Sequence, residues 1–159
     1  LVVPKVQAGG FVGAEEAPNA ISVSGEGKVY AEPDIAQIII GVESRAKTAG
    51  EAAAQNEEAM DRVMASLAAM GVAEEDIQTV DYSIRTEINH EKEPRVIGYM
   101  VSNLVQVKVR DLDKVGQLLD AATEAGANEI YGITFTVEDP RPYQEEARKL
   151  AVEEARKRS

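Results

Sequence analysis

Two periods alternate along the chain, and the switches between them mark the elements. Ile21, Val23 and Val29 alternate with Ser22, Ser24, Glu26, Lys28 and Tyr30, the period of a half-buried strand. Gly25 and Gly27 fall on its apolar face and would let another backbone approach closely. Glu32-Pro33-Asp34 reads as a turn. The run from Ile35 to Glu43 is apolar on both faces around Ile38, Ile39 and Ile40, which predicts a central strand. The period then changes. Ala52, Ala53, Ala59, Met60, Val63, Met64 and Leu67 share one face of a helix that Thr48 and Glu51 open as a capping box. Gly71 suits the left-handed position beyond its end.

Val80, Tyr82, Ile84 and Ile88 alternate again with polar residues, and so do Ile97, Tyr99, Val101, Val105, Val107 and Val109. The polar stretch 89–95 between the two runs predicts a hairpin. Asp111 caps a second helix with Leu112, Val115, Leu118, Leu119 and Ala122 inside and Gly126 past its end. Ile133, Phe135 and Val137 give a fifth strand. Asp139 and Pro140 open a third helix as N-cap and first residue. Its stripe of Tyr143, Ala147, Leu150, Ala151 and Ala155 must be buried against something. The predicted fold class is α+β: a mixed, mostly antiparallel sheet with helices packed on it, in the order β-β-α-β-β-α-β-α.

Residues 1–20 lack a period and read as a flexible leader, too interrupted to span a bilayer. The first residue is Leu1 rather than Met, so an upstream segment is expected to have been removed. Residues 21–159 make one domain. Its third helix runs to Ser159 without a stop signal, so either the chain was cut there or the rest of the partner surface lies elsewhere.

Composition removes several chemistries. The net charge of −11 repels nucleic acid and anionic membrane surfaces. With aromatics at 4% and no Trp there is no platform for stacked bases. The absence of cysteine excludes disulfides, thiolate nucleophiles and cysteine-based zinc sites. The lone His90 excludes a histidine-rich metal site and, with no G-x-S-x-G elbow, a serine triad.

What chemistry remains is weakly specified. Gly25-Glu26-Gly27 lies inside a predicted strand and lacks the third glycine of a dinucleotide loop. Glu87, His90, Glu91 and Glu93 gather near the hairpin tip, where a solvated charged loop is the ordinary reading and a metal the sharper one. Asp34 and Asp81 are the first carboxylates to inspect as a hydrolytic pair. Asn56 and Asn103 sit on faces otherwise apolar. Buried amides that satisfy backbone groups are the commoner outcome there, and ligand contacts the rarer one. No catalytic, cofactor-binding or metal-ligating residue is assigned, and no cofactor is expected.

From residue 21 onward the chain resembles the SIMPL-domain family of bacterial envelope proteins. The resemblance is carried by Val23-Ser24-Gly25-Glu26-Gly27, Pro33-Asp34-Ile35-Ala36, Gly98-Tyr99, Ser102-Asn103, Arg110-Asp111-Leu112 and Gly126-Ala127-Asn128 leading to Phe135. It implies an extracytoplasmic protein, often a homo-oligomer, with no established catalytic residues. Family members usually continue past the third helix, which fits the missing C-terminal part. The resulting expectation is a non-enzymatic cell-envelope protein that self-associates or binds a protein partner. The resemblance adds a role in oxidative-stress defence. The alternative is a small-ligand binder or a carboxylate-based hydrolase.

Overall fold

A computed structural model describes residues 23–158. These fall into two units, one formed by residues 34–135 and the other by the two segments that flank it.

The larger unit contains β1 (Ile35–Ala46), α1 (Ala49–Ala69), β2 (Ile77–Asn89), β3 (Arg95–Val109), α2 (Val115–Ala125) and nearly all of β4 (Glu129–Thr136). The sheet order is β2-β3-β1-β4, and β3 is antiparallel to both β1 and β2. This strand order, with a helix in each crossover, is the split β-α-β plait of ferredoxin-like folds. The α+β class expected from the sequence is the class observed.

Its core lies between the helices and one sheet face. Ile38, Ile40 and Val42 of β1 and Val105, Val107 and Val109 of β3 meet Met60, Val63 and Leu67 of α1 and Val115, Leu118 and Ala122 of α2. Each fully buried aliphatic side chain contributes about 1.5–3 kcal/mol of transfer free energy. The helix ends follow their caps. The Thr48 hydroxyl accepts from the Glu51 amide at 3.2 Å. Gly71 and Gly126 take φ of +87° and +123°, where a Cβ would be strained. Asp111 caps a single 3₁₀ turn, Leu112–Lys114, and α2 proper begins after it.

The smaller unit pairs residues 23–33 with residues 136–158, which contain α3 (Arg141–Arg158). Here the structure departs from expectation. Residues 23–29 join no ladder and Tyr30 makes an isolated bridge, so the sheet has four strands where five were expected. Residues 21 and 22 of that expected strand, like the leader 1–20, lie outside the described residues. The glycines explain the difference. A Cβ on Gly25 would collide with the Ala151 carbonyl oxygen and lie 2.7 Å from the Ala155 nitrogen. On Gly27 it would collide with the Ala147 carbonyl oxygen and lie 2.9 Å from the Ala151 nitrogen. The close backbone approach foreseen at these glycines is therefore made by α3. The Glu26 amide donates to the Glu154 carboxylate at 2.5 Å, which uses a donor that a ladder would otherwise need. Asp139 accepts from the Arg141 amide at 3.1 Å and so caps α3 as its sequence predicts.

Candidate functional site

Among the described residues three buried polar side chains show where the larger unit departs from simple packing: Asn56, Asp76 and Ser102. Asn56 is fully enclosed. Its Nδ2 donates to the carbonyls of Val42 at 2.7 Å and Val101 at 3.1 Å, tying α1 to β1 and β3. Its Oδ1 has no partner. Asp76 follows α1 in a 3₁₀ turn, and both its oxygens accept from the Arg110 guanidinium at 3.0 Å. That fork holds the Asp76 carboxyl below the usual carboxylate range, against the opposing effect of burial. Ser102 donates to Glu129 at 2.6 Å, and the Tyr131 hydroxyl donates to the other Glu129 oxygen at 3.1 Å. The Tyr131 phenol is raised above its ordinary pKa, first by this hydrogen bond to a carboxylate.

Beside Ser102 in the ladder stands Glu43. Arg45 holds Glu43 at 2.9 Å and Glu87 of β2 at 2.9 Å. A polar row of side chains on β1, β2, β3 and β4 thus forms on the sheet face opposite α1 and α2. Its members are fixed by long-range pairing, so spacing along the sequence could not reveal them. Of these residues the sequence pointed only to Ser102, in the Ser102-Asn103 dipeptide, and to Glu87, which it grouped with the hairpin tip.

The other departure is at the sheet margin. β2 is an edge strand of 13 residues. Its register with β3 slips between Thr79 and Asp81 and again between Glu87 and Ile88. The first slip puts Tyr82 and Ile84 opposite Asn103 and Val101, on the helix side. The second puts Ile88 opposite Val96, on the far side. Tyr82 is 53% exposed and Ile84 50% exposed. Val80, Ile88, Val96 and Ile97 are also exposed. The alternation of β2 predicted a strand, and its apolar positions largely face solvent. A groove of about 390 Å³ lies between α1 and this margin, lined by Ala53, Glu57, Met60 and Asp61 with Tyr82 and Asn103.

The remaining candidates separate. Asp34 precedes β1, whose Ala36 pairs with Val109, whereas Asp81 pairs with Leu104. Five residue steps along β3 put at least about 17 Å between those levels, so the two carboxylates do not form a hydrolytic pair. His90, Glu91 and Glu93 occupy the exposed hairpin tip, where the Glu91 amide donates to Asn89 at 2.8 Å, while Glu87 is drawn away to Arg45. Among the described residues no cluster of three or more acidic or histidine side chains is arranged to hold a metal. Gly25-Glu26-Gly27 faces carbonyl oxygens of α3, an environment that disfavours a phosphate.

The pattern of the SIMPL family, described as a protein of unknown function (DUF541), matches residues 21–159. The chain belongs to the SIMPL family. It is 37% identical over 144 residues to the 26 kDa periplasmic immunogenic protein of Brucella melitensis, covering 87% of this chain and 58% of that one. The corresponding Brucella abortus protein matches to the same extent. Uncharacterized protein YggE of Escherichia coli is 34% identical over 145 residues, covering 89% of this chain and 59% of YggE. The chain therefore spans about three fifths of the length of these curated relatives. The extracytoplasmic location expected from the sequence agrees with the periplasmic name of the Brucella protein. Among the described residues no helix is long and apolar enough to cross a membrane.

Proposed function

We propose that this SIMPL chain is a non-enzymatic cell-envelope domain that self-associates or binds protein partners. The supporting observation is the β2 margin. Thirteen residues of edge strand carry exposed Val80, Tyr82, Ile84 and Ile88. An unpaired edge with apolar side chains is a template for another chain. In the proposal the envelope role in oxidative-stress defence is indirect and acts through assembly. The chain has no cysteine, and its four methionines are its only oxidisable sulfurs.

Light scattering coupled to size exclusion tests the reading. A mass above 17.1 kDa that grows with concentration is expected. At −11 per copy the subunits repel one another, so association should hold or strengthen as salt is raised. A strictly monomeric species over a wide concentration range, at low and high salt, refutes self-association.

A further inference from the structure

We propose that β2 pairs antiparallel with β2 of a second copy about a two-fold axis at Ser83, joining two sheets edge to edge. This rests on the self-association reading and specifies its surface. Between the two slips in register, Asp81 to Glu87 is a regular run. With the axis at Ser83, Tyr82 faces Ile84 of the other copy on the helix side, and Asp81 faces Arg85 on the far side. By symmetry each contact occurs twice. Aromatic–β-branched and opposite-charge pairs are both favourable cross-strand partners.

Neighbouring registers are worse. An axis at Ile84 sets Asp81 against Glu87, and an axis at Arg85 sets one guanidinium against another. Moving the axis by a whole residue is required, because antiparallel partners must share a face if both helix layers stay on the same side. An axis at Tyr82 leaves Asp81 opposite Ser83 and moves Val80, at the slipped position, one step nearer the axis than in the Ser83 register, where it faces Thr86. Asp81 and Arg85 are both exposed, and neither forms an ion pair among the described residues. The Ser83 hydroxyl donates to Asp81 at 3.3 Å within the strand. Four residues, Thr86 to Asn89, lie between these pairs and the charged hairpin tip at residues 90–93, more than a register shifted toward Ile88 would leave.

Two variants and their mixture decide the matter. D81R sets Arg against Arg twice in the homodimer, and R85D sets Asp against Asp twice. Each alone should raise the dissociation constant by roughly tenfold to thirtyfold. An equimolar mixture of the two restores opposite charges at both pairs and should recover association near the wild-type level. Because both positions are exposed, the variants should melt with the wild type. A third variant uses the absence of native cysteine. S83C places one thiol opposite itself, so mild oxidation should give a covalent dimer, whereas Y82C should not. Wild-type association that persists in D81R and R85D, with no gain on mixing, overturns the β2 pairing while leaving self-association intact. A monomeric wild type overturns both.

Discussion

Replacing Asn56 with Asp tests the interior of the larger unit at one atom. In the wild type, Nδ2 donates to two strand carbonyls at 2.7 and 3.1 Å, and Oδ1 has no partner. Each neutral hydrogen bond contributes about 1 kcal/mol net. An ionised carboxylate there would turn two attractions into contacts between oxygens, in a pocket from which water is excluded. Leaving a buried charge uncompensated costs about 3–5 kcal/mol. N56A removes the same two hydrogen bonds without adding charge, so it should cost about 2 kcal/mol plus a small cavity contribution. At neutral pH, N56D should therefore be the less stable of the two.

The pH dependence separates charge from shape. Facing carbonyl oxygens, the introduced carboxyl keeps its proton to higher pH when folded than when unfolded, where its pKa is about 3.9. Its raised folded pKa makes the penalty complete above that pKa. The penalty shrinks as pH falls toward the unfolded value and is gone below it. Denaturant melts of wild type, N56A and N56D at about pH 7 and about pH 4.5 measure this directly. N56D should fall below N56A at the higher pH and draw level with it or pass it at the lower. Wild-type stability of N56D at about pH 7 would refute the enclosed-amide account.

G27V should destabilise the smaller unit by about 1–3 kcal/mol, because its side chain would enter the backbone of α3. Hydrogen exchange along α3 measures it, and unchanged protection there would show that the contact does not matter. D76N should cost about 1–2 kcal/mol at neutral pH, discounted because the Arg110 side chain is half exposed. The Asp76 pKa is lowered on folding, so its contribution exists above the unfolded pKa and is lost as pH falls through the folded one. The gap between D76N and wild type should thus close in acid, and a gap that stays constant down to about pH 2 would contradict the ion pair.

Much of the larger unit was legible because its signals are local. Thr48, Gly71 and Gly126 mark helix ends through chemistry within a few residues, and Asn56 stands out on a helical wheel. Three features were not. The slip at Thr79 changes which face each β2 residue occupies, and no residue type announces it. An edge strand and a buried one can share the same alternation, so the exposure of Tyr82 and Ile84 awaited the strand order. Ser102, Glu129 and Tyr131 meet only after the sheet forms. Residues 23–30 misled for another reason: two glycines permit extended backbone without requiring a ladder, and α3 supplied the partner.

The backbone contact between Gly25-Gly27 and α3 also sets an order of events. Glu26 and the Glu154 that receives its amide are 128 positions apart. During synthesis the earlier segment emerges long before its partner exists, while every strand and helix of residues 34–135 can already find its neighbours. Closure of the glycine segment onto α3 therefore has to follow the synthesis of residues 34–135. Until the backbone of α3 has emerged, the glycine segment lacks the partner that its missing side chains leave room for.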